Sequence, residues 1–345
     1  MKLIHCADIH LGSTLTSLPK ELKEDRKADV RASFMRMVEY AKKNGISVIL
    51  ISGDLFDRAK PPKKELDFFY DTVKNAENVD FLYLRGNHDL AREPDSYPNL
   101  KTFSEAWTSY CYEDVAISGI ELSSGNSDSY YSTLNLDKSQ KNIVMLHGQI
   151  GGEINLSKLR DKNIDYLALG HVHSYTVGDI DRRGKYAYCG CLEGRGFDET
   201  GEKGFIVLDV NGSGIKQEFV PFSSTVIEEH HVDISGALSP FEACSRVKDT
   251  VNLRENGIYR IVLTGETDKW IEDLEKDVSA FLNPFCRHLS VKNETTLRIN
   301  YDDYKNDLSL RGEFIRAVQA SDKTDEEKSR IIAYGLKALA GEAID

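Results

Sequence analysis

Residues 45–57 read GISVILISGDLFD, and the chain opens MKLIHCADIHLG over residues 1–12. Each is a short run of Ile, Leu or Val that stops on a polar turn carrying aspartate. A run of this length, closed by glycine or polar residues, reads as a buried strand. A helical stretch near 26–43 lies between the two, so the opening is β-α-β. Loops at the carboxyl ends of buried strands can bring polar groups into one crevice while the strands hold them rigid.

The same grammar continues with a helix over 62–75 and strands at 79–84 (VDFLYL), 115–120, 142–147 (NIVMLH) and 165–169 (DYLAL). It predicts a layered α/β sandwich. Strand-like runs at 186–191, 203–210 and 215–222 are expected to complete a second sheet, ending a first domain at residue 224. A small β-α-β-α-β module is expected over 225–303, with strands at 226–234, 257–264 and 286–293 and helices at 240–252 and 268–282. The tail, 304–345, holds two helical patterns, 308–320 and 324–341. In the second, Thr324 and Glu327 have capping-box spacing, and Gly341 reads as a stop. Ile331, Ile332, Gly335, Leu336 and Leu339 give it one apolar face, which either packs on the chain itself or docks another protein.

Composition narrows the function. No apolar run approaches the roughly 18 residues of a membrane span, and the N-terminus lacks the apolar stretch of a secretory signal, so a cytoplasmic protein is expected. The six scattered cysteines read as reduced thiols. A formal charge of −12 weighs against a protein that coats nucleic acid electrostatically. Bound divalent cations or a partner could still supply local positive charge.

Five motifs follow in order: Asp8-Ile9-His10, Gly53-Asp54-Leu55-Phe56-Asp57, Gly86-Asn87-His88-Asp89, His147-Gly148 and Gly170-His171-Val172-His173. A lone Asp or His after a strand is usually a cap or a hydrogen-bonded loop residue. Five of the nine histidines recurring at strand ends beside Asp, Asn or Gly is a different matter. Asp, Asn and His donors without cysteine suit divalent manganese or iron better than a closed structural zinc site, although catalytic zinc also takes His and carboxylate. Asp8, His10, Asp54, Asn87, His147, His171 and His173 are enough donors for two ions. One carboxylate must bridge such a pair at roughly 3.5–4 Å, and Asp54 is the expected bridge. The ions would acidify a water to hydroxide for in-line attack on phosphorus. His230, His231 and His288 lie in no such motif and read as ordinary histidines.

Together, D-x-H, GD-x-x-D, GNHD, HG and GH-x-H resemble the calcineurin-like metallophosphoesterase superfamily over about residues 1–210. HCADIHLGS, SGDLFDRAKPP and GHVH look like its SbcD branch of bacterial DNA-repair nucleases. The resemblance implies a four-layer α/β/β/α sandwich, with Asp8, His10, Asp54 and His173 on one ion and Asp54, Asn87, His147 and His171 on the other. It implies a DNA substrate, a capping-like role for the small module, an SbcC-type, SMC-like ATPase docked through the C-terminal helices, and self-association as a homodimer. The chain departs from the family at Cys6-Ala7, where Ser or Thr commonly precedes the first aspartate, and at Asp57, where some relatives have His.

His88 is not needed as a ligand and is assigned to the leaving group as acid or hydrogen-bond donor, with Asp57 orienting it. Arg85 and Arg58 flank the motifs and are either phosphate contacts or surface arginines. The leading expectation is a metal-dependent DNA endo- or exonuclease. LRGNHD and GDLFDR also resemble phosphoprotein phosphatase motifs, which keeps a phosphoprotein or small-molecule phosphatase as the alternative. A non-enzymatic scaffold would not explain a competent ligand at every motif position.

Overall fold

The computed structural model describes residues 1–13, 18–89, 94–127, 129–267, 271, 273–298 and 304–339. They form two compact units, Met1–Ile227 and Glu228–Asp345. In the first, β1 (Lys2–Cys6), α1 (Lys20–Lys43), β2 (Val48–Ser52), α2 (Lys63–Lys74), β3 (Asp80–Leu84) and β4 (Leu100–Thr102) build one half. The other half holds β5 (Thr108–Tyr112), β6 (Val115–Gly119), the one-turn α3 (Tyr130–Thr133), β7 (Lys141–His147), β8 (Tyr166–Gly170), β9 (Thr176–Asp179) and β10 (Lys185–Tyr188). Then β11 (Gly204–Asn211) and β12 (Gly214–Pro221) follow.

Side chains alternate across these strands because strand residues point to opposite faces in turn. Ile4, Ile49, Ile51, Phe81 and Tyr83 enter a core with Phe34, Met37 and Val38 of α1 and Phe69 and Val73 of α2. Their neighbours Leu3, Val48, Leu50, Leu82 and Leu84 face the other way and meet Ile117, Ile143, Met145 and Ala168 of the second half. The outer face of that half, with Val144, Leu146, Leu167 and Leu169, is covered by Tyr130, Tyr131, Leu159 and neighbouring loops. The layers therefore run helices, sheet, sheet and a thin outer cover. Both sheet faces are buried, which is why the strands read as continuous apolar runs.

The sheet orders are β12-β11-β1-β2-β3-β4 and β5-β6-β7-β8-β10-β9. This corrects the expectation for 203–222: of the three later runs only β10 joins the second sheet. β11 instead pairs antiparallel with β1, Leu3 opposite Leu208, and carries β12 to the edge of the first sheet. The segment after β10 is clamped to α1 by a fully buried ion pair, Arg26 to Glu193 at 2.9 Å. Ser33 and the Ser224 hydroxyl also donate to Glu193. Removing one partner of such a pair typically costs about 3–5 kcal/mol, because the other charge is left buried alone.

The second unit is built on a three-stranded sheet, ordered β13 (Val226–Asp233), β14 (Gly257–Thr264) and, beyond β15 (Glu266–Thr267), β16 (His288–Asn293). β15 pairs with β17 (Thr296–Leu297) in a separate two-stranded ribbon. Helices α4 (Pro240–Thr250) and α5 (Leu274–Leu282) cover the three-stranded sheet through Ala243, Val247, Val278 and Leu282. The expected start of the second helix at 268 and the stop at Gly341 fall outside the described residues. The unit ends in α6 (Leu310–Gln319) and α7 (Asp325–Leu339). Ile332 and Leu336 of α7 pack on Ile315, Phe314 and Val318 of α6. Thr324 and Glu327 exchange the reciprocal capping bonds that their spacing predicts.

Candidate metal centre

β1, β2 and β3 run parallel in the first sheet, and β6, β7 and β8 run parallel in the second. Asp8 and His10 follow β1, Asp54 follows β2, and Asn87 and His88 follow β3. His147 ends β7, while His171 and His173 follow β8. The first two loops are zipped together by backbone bonds from Asp8 N to Gly53 O and from His10 N to Asp54 O, both 3.0 Å. The sheets meet at Ser52, whose carbonyl accepts from His147 Nδ1 at 2.9 Å. Gly53, at φ 92°, sits so close to that imidazole that a Cβ there would strike it.

Four of these polar residues are held in an unfavourable backbone conformation: Asp8 (φ 51°), His10 (φ 50°), Asp54 (φ 52°) and His171 (φ 100°) all lie at positive φ. Each such residue costs on the order of 1–3 kcal/mol and persists only where its surroundings over-determine it. Here the surroundings are hydrogen bonds to carboxylates. Asp54 Oδ1 accepts from His88 N, and both Asp8 oxygens lie 3.0 Å from His171 N. Buried Asp89 accepts from Phe56 N and Gly86 N, both at 2.8 Å, and so ties the Asp54 loop to the Asn87 loop.

Two donor clusters result, Asp8 with His10 and His173, and Asp8 with Asp54 and His147. Asp54 Oδ2, the oxygen not used by His88, lies 3.4 Å from His147 Nε2 and 3.8 Å from His10 Nε2. His147 Nε2 is also 3.0 Å from Asn87 Oδ1, and the His171 ring lies edge-on to His147 with centroids 5.4 Å apart. His10 and His173 approach through their Nε2 atoms at 3.3 Å. All seven residues singled out as ligands thus come together.

The donors suit divalent cations. His147 gives its Nδ1 proton to a carbonyl, which can only accept, so Nε2 is the nitrogen that faces Asp54. Burial opposes a charge on Asp54, but the hydrogen bond and charge of His147 outweigh it and hold the carboxyl below the usual range. Burial likewise opposes an imidazolium at His147, yet Asp54 pushes it up to about 9. Asp8 is pushed up to about 7 by burial, against the pull of His147 and His173. The cleft therefore favours positive charge between its carboxylates.

Around the ligands, the Asp57 carboxylate is the group that turns away from its expected partner. His88 is exposed and its Nδ1 lies 3.3 Å from the backbone carbonyl of Asp57, not from its carboxylate. That carboxylate turns instead to His10 Nδ1 at 3.4 Å and to Arg195 Nη1 at 3.2 Å, where a partly buried guanidinium offers more than an exposed ring does. Arg85 grips Glu121 through two nitrogens, at 2.9 and 2.6 Å, and Arg58 is exposed. Among the described residues, the arginine at the cleft is Arg195. It binds Glu199, whose Oε1 is 2.7 Å from His173 Nδ1. Neither residue is identifiable from the sequence, because both lie in the segment 194–201, between the strand-like runs, which has no strand or helix rhythm. Their only signal is three charged residues, Arg195, Asp198 and Glu199, in a glycine-rich run.

The profile of the calcineurin-like phosphoesterase family matches residues 1–175, and the chain belongs to that family. Its members are dinuclear metal-dependent hydrolases of phosphoesters, and the cleft above gathers residues that could hold a metal ion. The chain is 27% identical over 307 residues to the uncharacterized metallophosphoesterase YhaO of Bacillus subtilis strain 168, covering 80% of this chain and 74% of that one. It is 22% identical to the DNA double-strand break repair protein Mre11 of Thermoplasma acidophilum, covering 96% and 93%. Identity to a component of the SbcCD nuclease of Staphylococcus epidermidis is 25%, covering 68% and 74%.

Proposed function

We propose that the protein is a manganese-dependent DNA nuclease subunit that cleaves phosphodiester bonds at this cleft. The observation that carries the reading is the reach of the similarity: relatives named for double-strand break repair align with 96% of the chain, well past the phosphoesterase profile and through the second unit. A cytoplasmic place of action belongs to the same reading, and no described helix is long and apolar enough to cross a membrane.

In this proposal Asp8, His10, Asp54 and His173 would hold one ion and Asp54, Asn87, His147 and His171 the other, with Asp54 common to both. Asp8 belongs to both donor clusters, and its two oxygens share the single N–H of His171, which leaves each a lone pair for an ion. The ions, when bound, supply an acidified water and neutralise charge growing on the phosphoryl oxygens. His88 works from the open side of the cleft. With Nδ1 turned to the Asp57 carbonyl, Nε2 is the atom that would meet the leaving oxygen as acid or hydrogen-bond donor. Asp57 acts through His10 and Arg195.

The second unit takes the DNA-facing role in this reading, and the tail helices take the ATPase. Since Ile332 and Leu336 are used in packing α7 against α6, docking falls to the outward residues Leu308 and Leu310, which are 90% and 67% exposed. Homodimerisation is a further part of the proposal.

The test is hydrolysis of linear double- and single-stranded DNA with manganese, with and without a co-purified SMC-like ATPase, beside a phosphomonoester and a phosphopeptide. Cleavage of DNA supports the reading. Turnover of monoesters alone assigns the cleft to a phosphatase, the function that LRGNHD and GDLFDR would suggest.

A further inference from the structure

The two halves of the cleft are backed by different chemistry. Behind His147 stands a neutral backbone carbonyl, Ser52 O, and its neighbour Asn87 is neutral and exposed. Behind His10 and His173 stand ionised side chains: Asp57 at His10 Nδ1, and Glu199 at His173 Nδ1. Arg195 joins the two carboxylates, with Nη1 3.2 Å from Asp57 and Nη2 and Nε on Glu199 at 2.5 and 2.9 Å; its Nη2 also stands 3.1 Å from His173 Nδ1, but the 2.7 Å contact to Glu199 Oε1 is the shorter and is the one that takes the ring proton. The backbone N–H of Arg195 adds a bond to Glu199 Oε2 at 2.8 Å. Glu199 and Lys203 are both almost fully buried, and Lys203 Nζ donates to the His173 carbonyl at 2.9 Å. His173 is thus held at its ring and at its backbone by one segment.

We propose that Glu199, locked by Arg195, is a positioning residue that fixes His173 with its proton on Nδ1 and makes the His10–His173 subsite the tighter of two unequal metal sites. The reasoning is chemical. A carboxylate on the far nitrogen of an imidazole selects the tautomer and raises the basicity of the near nitrogen, more than a neutral carbonyl does. Arg195 keeps Glu199 ionised and ties it to Asp57, so His10 and His173 are aimed together. Loss of such a partner typically lowers metal affinity about 10- to 100-fold. The inference rests on the dinuclear reading above, though not on DNA being the substrate.

Calorimetric titration of manganese into the metal-free chain tests it. The wild type should show two phases of unequal affinity, the tighter one being the phase that His173→Ala abolishes. Glu199→Gln, which keeps the shape, should weaken that phase about 10- to 100-fold and leave the other unchanged. Arg195→Met should weaken the same phase by less. Histidine nitrogen NMR of the metal-free chain supplies a second readout: the His173 Nδ1–H signal of the wild type should be lost or exchange-broadened in Glu199→Gln. Two phases unaltered by either variant would overturn the inference alone, as would equal weakening of both phases. A wild type that takes up no manganese would overturn the dinuclear reading and this inference with it. Should Glu199→Gln fail to fold, unaltered binding by Arg195→Met decides against the proposal.

Discussion

His10 and His173 face each other through Nε2 at 3.3 Å, while Nδ1 of each is turned to a carboxylate, Asp57 at 3.4 Å and Glu199 at 2.7 Å. A proton on Nδ1 of both rings leaves two lone pairs converging, an arrangement that a shared cation stabilises. In the proposed centre these four side chains serve the metal, and the open side of the cleft is left for substrate.

His88 is exposed and touches the site through the Asp57 carbonyl, so its imidazole belongs to neither donor cluster. His88→Ala should keep manganese binding and lose about 10²- to 10⁴-fold in turnover. Parallel metal analysis and steady-state kinetics check it. A variant that loses metal along with activity would make His88 a ligand.

Asp57 backs His10 and Arg195 rather than the His88 ring. Asp57→Asn should therefore lower manganese affinity, about 10- to 100-fold, and saturating metal should restore most of the rate. Were Asp57 acting on His88 instead, the rate would stay low at every metal concentration.

Far from solvent, His5 lies in the core with Nδ1 2.9 Å from the Tyr166 hydroxyl. Burial lowers it to about 3, against a backbone hydrogen bond to Leu169 that acts the other way. Its folded pKa lies below its unfolded value near 6.5, so the unfolded chain binds the extra proton between them. Its contribution is present above pH 6.5 and lost as pH falls towards 3; from pH 7 to 5 the loss is about 2 kcal/mol. Urea unfolding in EDTA should show His5→Phe losing less stability over that interval than the wild type. Parallel slopes for the two proteins would contradict this.

Much of this architecture could be read from the sequence because it obeys local rules. Leu3, Ile4, Ile49, Leu50, Phe81 and Leu82 alternate between two buried faces, and the ligands stand where those runs stop. What could not be read is non-local. The pairing of Leu3 with Leu208, which puts β11 in the first sheet, leaves no mark on the periodicity of either strand. The first turns of α1 show only Leu22 and Arg26 buried among charged residues, so the helix begins at Lys20 rather than near 26. Glu199 and Arg195 act through hydrogen bonds that cross from one loop to another, and no spacing announces them. The Asp57 carboxylate meets His10 rather than the expected His88, because closeness in the chain does not say which way a side chain turns.

Everything proposed for the cleft turns on one carboxylate, Asp54, which would join two metal subsites into a single phosphodiesterase centre. Metal content and hydrolysis of a phosphodiester should be measured on the same samples of wild type and Asp54→Ala after loading with manganese. The expected result is two equivalents of metal and turnover in the wild type, and at most one equivalent with no detectable turnover in the variant. Two equivalents retained by Asp54→Ala, or a wild type active with a single ion, would contradict it.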